Sequence, residues 1–318
     1  MMTRANTNPL TWLWLGVLLM QAQTKIVRAG QDTLSEILQA ARKPKETVVF
    51  HAPPRPHFEA VREVASLLTR AAASCDDAAR KMADGKLRPI ALEVSSLSED
   101  GQVYWVIRET PPTFRGSGVY AVRCGEAVPL VLQIPHSFFD THTGRVGQLI
   151  FKLARARWIF LNTLHRYKGR AGEKHTDSWH PTDCAHNPAL LFQAMTEGVL
   201  AAEPAALFAQ LHGFDATSRG ADVILSDGHR GPQVWAEKVK ALWTLPEAKV
   251  VVFDRSMREL GGLTNVQGDA IATKKGRFVH IEMSLPLRAR LRKEASALKA
   301  LAAALGQASQ DKEPTKVE

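Results

Sequence analysis

Short runs of apolar residues recur through the second half of the chain. Residues 128–134 are apolar except for Gln133, which is typical of a strand that other layers cover on both faces. Comparable runs occupy residues 207–211, 223–225, 250–253 and 278–281. We therefore predict a buried strand at each of these positions.

Segments with apolar residues at helical spacing lie between several of these runs. They cover residues 147–161, 189–200 and 233–243, and a last predicted helix covers residues 287–305. The alternation of strands and helices predicts an α/β fold for residues 118–305, with three α/β/α layers around a mixed, mostly parallel sheet.

The first third of the chain and its last residues have different patterns. Residues 58–71 have helical spacing, and residues 90–94 and 103–107 are predicted strands joined by a polar stretch. This arrangement predicts a small α+β lead-in, residues 23–117, that packs on the main domain. Residues 306–318 are mostly polar and are predicted to be a disordered tail.

The N-terminus has the layout of a secretory signal. Arg4 precedes an apolar run at residues 10–20, and polar residues follow at 21–23. We therefore predict a signal peptide at residues 1–22 and export to the periplasm or the cell exterior. The run is shorter than the ~20 apolar residues that a membrane span needs, so no stable span is expected after cleavage. An uncleaved anchor or a core segment is the alternative interpretation.

Charge and cysteine content narrow the function classes. The formal net charge is +9, but lysines and arginines are scattered and accompany no nucleic-acid-binding motif, so we predict a solvated surface and no nucleic-acid partner. Three cysteines are too few for a disulfide scaffold or a structural zinc site. In an oxidising compartment Cys75 and Cys124 could pair and leave Cys184 free.

Polar residues with catalytic or metal-binding chemistry follow three of the predicted strands, where ligands of open α/β sheets collect. His136 and Asp140 follow the first strand and suit zinc, although Asp140 could instead cap a helix. His212 follows a later strand and precedes a glycine, which lets backbone approach a ligand closely. The alternative is a histidine that is buried in the core with its hydrogen bonds made there. Glu282 shares a strand face with His280, and a buried carboxylate there needs a partner such as a metal-bound water or a substrate proton. The alternative is that Glu282 pairs with a nearby arginine.

Two further polar segments lie between these strands. Residues 162–166 are predicted to end a helix, where an arginine could bind a substrate carboxylate or simply complement the helix dipole. The second segment is a loop that could bind another metal, although a polar lid is favoured. Its candidate ligands are His175, Asp177, His180, Asp183, Cys184 and His186.

The order of these segments resembles the zinc carboxypeptidase-like superfamily, and in particular the N-formylglutamate amidohydrolases and poly-gamma-glutamate hydrolases. The stretches that carry the resemblance are IPHSFFDTHTG, LNTLHRY, QLHGF and VHIEMSLPLR, which all lie between Pro129 and Arg290. One difference is that an aspartate stands four residues after the first histidine, where carboxypeptidases have a glutamate three residues after it.

The resemblance implies a set of site residues. His136, Asp140 and His212 would hold one zinc ion, and Glu282 would act as general base and acid on water and the leaving amine. Arg166 would act as a second catalytic residue that steadies negative charge. The implied substrate-binding residues are Asn162, His165 and Arg288.

We therefore predict a zinc-dependent hydrolase that cleaves an amide bond in an anionic acyl-amino acid, gamma-glutamyl or peptide substrate. The alternative is a non-catalytic zinc-containing protein of the same fold that binds peptides or cell-wall fragments. A serine hydrolase is disfavoured because the sequence contains no Gly-x-Ser-x-Gly elbow.

Overall fold

The structure, a computed structural model, describes residues 33–40, 49–167, 170–171, 180–215 and 220–311. They belong to one compact unit, Thr33–Glu318. The predicted signal peptide, residues 1–22, lies outside the described residues.

The helices of the described residues are α1 (Leu34–Ala40), α2 (Arg55–Ala71), α3 (Asp77–Leu87), α4 (Thr143–Leu153), α5 (Leu191–Ala202), α6 (Val234–Leu242), α7 (Val266–Thr273), α8 (Leu285–Lys293) and α9 (Ala295–Gln310). The strands are β1 (Val49–Phe50), β2 (Leu92–Glu99), β3 (Gln102–Glu109), β4 (Val119–Arg123), β5 (Val128–Ile134), β6 (Ala156–Leu161), β7 (Arg170–Ala171), β8 (Leu207–Phe214), β9 (Val223–Ser226), β10 (Val250–Val252) and β11 (Arg277–Ser284). Among these residues no helix has the length and apolar character that a membrane crossing requires.

A mixed nine-stranded sheet forms the middle layer, with the order β10-β9-β11-β8-β5-β6-β4-β3-β2. Its central strands β11, β8, β5 and β6 are parallel to their neighbours within that group, as are β9 and β10 to each other. The remaining neighbours pair antiparallel. β2, β3 and β4, which precede residue 124, extend one edge of the same sheet.

Helices cover both faces of the sheet, so the predicted three-layer α/β/α class is confirmed. One apolar core joins the sheet to α1, α4, α6, α8 and α9, and the other joins it to α2, α3, α5 and α7. α2 shows why such helices dock, because Val61, Val64, Ala65 and Leu68 recur at helical spacing and are all buried.

The predicted helix at residues 147–161 is wrong in its second half. α4 ends at Leu153, Arg155 takes a left-handed φ of 54°, and β6 begins at Ala156. All six residues of β6 are buried, including Trp158 and Phe160. Aromatic and β-branched side chains suit a strand that is covered on both faces, and they replace the polar positions that an amphipathic helix would require.

The C-terminal helix also differs from the prediction. The segment divides into α8 and α9 at Glu294, whose ψ of 107° interrupts the helix. α9 continues to Gln310, five residues past the predicted end at residue 305, because Ala308 and Ser309 pack in a buried position. Residues 312–318 of the predicted tail lie outside the described residues.

The cysteines are free thiols in the structure, with Cys75 exposed and Cys124 and Cys184 buried. Burial raises the pKa of the Cys124 thiol, and the nearby Cys75 raises it further.

Candidate metal centre

His136, Asp140 and His212 meet in a buried group whose potential ligand atoms lie within 4.8 Å of one another. Asp140 Oδ2 lies 3.6 Å from His136 Nδ1 and 3.7 Å from His212 Nδ1. The two imidazole centroids are 4.8 Å apart. The structure therefore brings together the three residues that the sequence analysis selected as metal ligands.

The loop after β5 places two of these residues. Asp140 N donates to His136 O at 2.8 Å, so the chain turns tightly and returns Asp140 toward the imidazole. The carboxylate does not cap α4, whose N-cap position is His142. Instead, Asp140 Oδ2 accepts a hydrogen bond from Gly213 N at 3.0 Å. The helix-cap alternative for Asp140 is therefore wrong, and its carboxylate links the ends of β5 and β8.

The donor set fits a divalent metal ion. His136 Nδ1 is buried and has no hydrogen-bond partner among the described residues, although it lies 3.6 Å from a carboxylate oxygen of Asp140. An uncompensated buried polar atom is costly unless a ligand satisfies it. Two imidazole nitrogens and one carboxylate oxygen are ligands that zinc accepts, with a further position left for water or substrate.

Neighbouring groups give the two buried histidines different proton affinities. Burial lowers the pKa of His212 well below its ordinary value, and the nearby His280 and His136 lower it further. His212 is therefore a neutral imidazole, the form that binds metals. Burial also opposes the charged form of His136, but the carboxylates of Asp140 and Asp183 outweigh it and raise the pKa of His136. A metal at this site must therefore compete with a proton on His136.

Asp183 supports His136 from the side away from the cluster. Its Oδ1 lies 2.8 Å from His136 Nε2, and its Oδ2 accepts from Arg166 Nε at 2.7 Å. Burial opposes its charged form, but hydrogen bonds to His136 and His186 together with Arg166 lower the pKa of Asp183 well below the ordinary value. The ionised carboxylate can only accept, so His136 carries its proton on Nε2 and offers Nδ1 to a metal.

The loop that contains Asp183 was predicted to be a polar lid or a second metal site. Asp183 instead orients a member of the first group, and His186 Nδ1 lies 3.1 Å from its carboxylate. His180 hydrogen-bonds with Thr182. His175 and Asp177 lie outside the described residues. Asp183 was among the candidate metal ligands that the sequence indicated in this loop, but nothing in the sequence linked it to His136.

Replacing Asp183 with asparagine should destabilise the metal-free fold by about 2 kcal/mol near neutral pH, because charge-assisted hydrogen bonds to His136 and Arg166 are weakened. The folded pKa of Asp183 is lowered, so this stabilisation is present above the unfolded pKa and is lost as pH falls. The difference in unfolding free energy between wild type and Asp183→Asn should therefore shrink below about pH 5. Urea unfolding in the presence of a chelator, at several pH values, measures it. A difference that is constant with pH would contradict this role.

Glu282 and His280 border the same cluster. β11 pairs with β8 so that Glu282 is level with His212 and His280 is level with Gln210. His280 Nε2 lies 3.2 Å from Glu282 Oε1, and Glu282 Oε2 is buried with no partner among the described residues. The predicted shared face of these two residues is confirmed. His280 also joins His212 and Glu282 in a second group that could hold a metal.

Two predicted substrate-binding residues hydrogen-bond with the backbone around the site. Asn162 follows β6 rather than a helix, and its side-chain nitrogen donates to Pro135 O and Leu164 O while its oxygen accepts from Leu164 N. Arg288 is buried and donates to the carbonyls of Thr141, Phe214 and Ser284. These contacts fix both side chains against the backbone, and their assignment as substrate-binding residues stays a prediction.

The other two predicted residues lie nearer the surface. Arg166 is joined to the site through Asp183, and its side chain is 24% exposed. His165 Nδ1 accepts from Tyr167 N, and its ring makes an edge contact with Phe139. Both residues come shortly after the end of β6 in the chain. The contact with Phe139 places His165 beside the loop that holds His136 and Asp140.

Residue 213 must be glycine because its surroundings leave no room for a Cβ atom. A Cβ on this residue would lie 2.2 Å from Arg288 Cζ, and the guanidinium is fixed by three carbonyls. Gly213→Ala should therefore destabilise the fold by about 1–3 kcal/mol through overpacking. Gly85→Ala in α3 is the matched control, since nothing lies within 4 Å of its Cβ position and alanine favours a helix. Equal unfolding midpoints in urea for the two variants would contradict the expectation.

No protein-family model matches the chain, and no curated protein sequence matches it. Solved structures that it resembles include gene product Atu2144 from Agrobacterium tumefaciens, with 15% identity and a TM-score of 0.39 over 57% of this chain and 89% of that one. The tripeptide-bound cell shape determinant Csd4 from Helicobacter pylori has 11% identity and a TM-score of 0.32 over 59% of this chain and 54% of that one, about half its length. An M17 aminopeptidase from Trypanosoma brucei has 12% identity and a TM-score of 0.26 over 85% and 70%. Likenesses at this level assign neither a family nor an activity.

Proposed function

We propose that this protein is an exported zinc-dependent hydrolase of amide bonds. The observation that carries the proposal is the convergence of His136, Asp140 and His212 in one buried group. Glu282 Oε2, which has no hydrogen-bond partner among the described residues, lies on the strand beside it. The first three residues would hold the metal. When bound, zinc supplies Lewis acidity that polarises a scissile carbonyl and lowers the pKa of water.

The protein side chains would divide the remaining chemistry. Glu282 Oε2 would accept the proton of the attacking water and return it to the leaving amide nitrogen. His280 would hold the other carboxylate oxygen and so fix the orientation of Glu282. Arg166, which is partly exposed and charged, would bind an anionic group of the substrate.

The sequence resemblance directs the choice of substrate toward acyl-amino acids, gamma-glutamyl compounds and peptides. Export is proposed from the signal layout at residues 1–22 alone. The resemblance to zinc carboxypeptidase-like enzymes supports zinc rather than another divalent ion, since a histidine-rich donor set suits zinc.

An amide-hydrolysis screen of the purified protein tests this function. The panel contains N-formyl and N-acetyl derivatives of glutamate and of neutral amino acids, gamma-glutamyl dipeptides, and ordinary di- and tripeptides. We expect hydrolysis of at least one acidic member, its loss with a chelator, and its recovery on adding zinc. Activity that resists the chelator would reject metal catalysis, and bound zinc with no hydrolysis of any member would favour the non-catalytic binding protein.

A further inference from the structure

A group of buried side-chain amides lies directly beneath the metal centre. Gln133, Gln210 and His280 stand level with one another on the adjacent strands β5, β8 and β11. Asn265 and Gln267, at the start of α7, hydrogen-bond with Gln210 from the helical layer. All five side chains are at most 3% exposed. Buried amides at such density are costly unless every donor meets an acceptor.

Gln210 is the centre of this network, and four side chains contact its amide. Its Nε2 donates to Gln133 Oε1 at 3.0 Å and to Gln267 Oε1 at 3.2 Å. Its Oε1 accepts from Asn265 Nδ2 and faces His212 Nε2 at 2.6 Å. An amide has two donor hydrogens and two acceptor lone pairs, so all its capacity is used.

Backbone groups fix the direction of this amide, because they cannot exchange donor for acceptor. Gly268 N donates to Asn265 Oδ1 at 2.9 Å, so the oxygen of Asn265 must face the backbone and its Nδ2 must face Gln210. Gln267 Nε2 donates to Cys184 O at 3.1 Å, so Gln267 presents its oxygen to Gln210. Both constraints require Gln210 Oε1 to point at Asn265 and His212.

A third constraint comes from α5. Thr196 Oγ1 donates its only hydrogen to Phe192 O at 2.9 Å, so it can only accept from Gln133 Nε2, which lies 2.9 Å away. Gln133 therefore also presents its oxygen to Gln210 Nε2. Three independent backbone contacts thus assign the same orientation to one amide.

That orientation decides which nitrogen of His212 carries the proton. Gln210 Oε1 is an acceptor, so His212 Nε2 must be the protonated nitrogen, and the neutral ring leaves its lone pair on Nδ1. His212 Nδ1 is the nitrogen that lies 3.7 Å from Asp140 Oδ2. The other tautomer would place a hydrogen where the ligand lone pair is needed.

We propose that Asn265 and Gln210 are positioning residues that hold His212 as the Nε2–H tautomer and so present Nδ1 to the metal. We call the chain Gly268 N–H, Asn265, Gln210 and His212 the amide relay. The inference deepens the proposed function, because it takes the metal centre as its premise. It assigns a metal-affinity role to Asn265, whose side chain, among the described residues, hydrogen-bonds with the backbone amide of Gly268 and with Gln210.

Asn265→Asp is the sharpest variant, because it keeps the oxygen that caps Gly268 N and replaces the donor to Gln210 with a carboxylate oxygen that repels Gln210 Oε1. Gln210→Met removes the acceptor for His212 at similar side-chain size. Both variants should bind zinc on the order of 10- to 100-fold more weakly than wild type. Gln210→Glu keeps an oxygen facing His212 Nε2 and should retain zinc affinity within a few-fold. Zinc affinity is measured on the full chain by competition with a chelating dye, and thermal unfolding checks that each variant is folded.

The tautomer itself is read from nitrogen chemical shifts of the metal-free full chain, labelled with ¹⁵N at histidine. The His212 signals are assigned by their loss in His212→Asn. Wild type and Gln210→Glu should show the proton on Nε2, and Asn265→Asp should lose that preference. Folded Asn265→Asp and Gln210→Met proteins with the wild-type tautomer and zinc affinity would overturn the relay while leaving the metal centre intact. A wild-type chain that binds no zinc would overturn the proposed function, and the nitrogen shifts would still test the relay.

Discussion

Replacing His212 with asparagine is expected to weaken zinc binding by roughly 100- to 1,000-fold, since the ~10–16 kcal/mol of a protein zinc site is shared among three or four ligands. Within the described part of the chain, two potential metal groups share His212, and its Nδ1 lies 3.7 Å from Asp140 Oδ2. Burial keeps its imidazole neutral, so wild type needs no deprotonation at this ligand. Metal content after dialysis, measured by mass spectrometry, and calorimetric titration with zinc report the change.

His229→Asn is the matched control for this substitution. His229 is exposed on the turn after β9 and accepts from Gly231 N, away from the cluster. It should keep the wild-type zinc content. Equal zinc content in the two variants would show that bound metal resides elsewhere.

Replacing Glu282 with glutamine should reduce turnover by about 100- to 10,000-fold, the usual contribution of a general acid–base group, while zinc stays bound. The amide is nearly isosteric with the carboxylate but cannot accept a proton. Zinc should remain because His136, Asp140 and His212 form a complete group without Glu282. The rate constant at saturating substrate and the zinc content of the same preparation measure both halves of this expectation.

Glu203→Gln serves as the control for removing a carboxylate. Glu203 precedes β8, so it lies at the opposite end of that strand from His212. Its removal should leave turnover unchanged. If Glu282→Gln instead lost zinc together with activity, Glu282 would be a ligand and the second potential metal group, with His280, would be the occupied one.

The positions of the metal candidates could be predicted because strand ends are visible in sequence. Residues 128–134 and 207–211 are apolar runs, and the histidines at 136 and 212 follow or end them. Parallel neighbours bring such ends to one edge of a sheet, so residues far apart in the chain converge. Period-2 alternation likewise placed His280 and Glu282 on one face.

Other parts of the site depend on tertiary contacts that leave no local signal. The helical prediction for residues 147–161 concealed β6, because a short buried apolar run has no periodicity that separates strand from helix. Asn162 and Arg288 have polar side chains suited to substrates, but their partners are backbone carbonyls supplied by distant loops. The buried glutamines around the amide relay, Gln133, Gln210 and Gln267, are scattered singly through apolar strands and helices. Only the sheet register and the packing of α7 show that they meet.

Anomalous diffraction from crystals of the full chain grown with zinc, recorded on both sides of the zinc absorption edge, tests the metal centre most directly. A single strong peak is expected about 2.0–2.2 Å from His136 Nδ1, His212 Nδ1 and an oxygen of Asp140. A zinc-loaded crystal without a peak among these three residues would contradict the account.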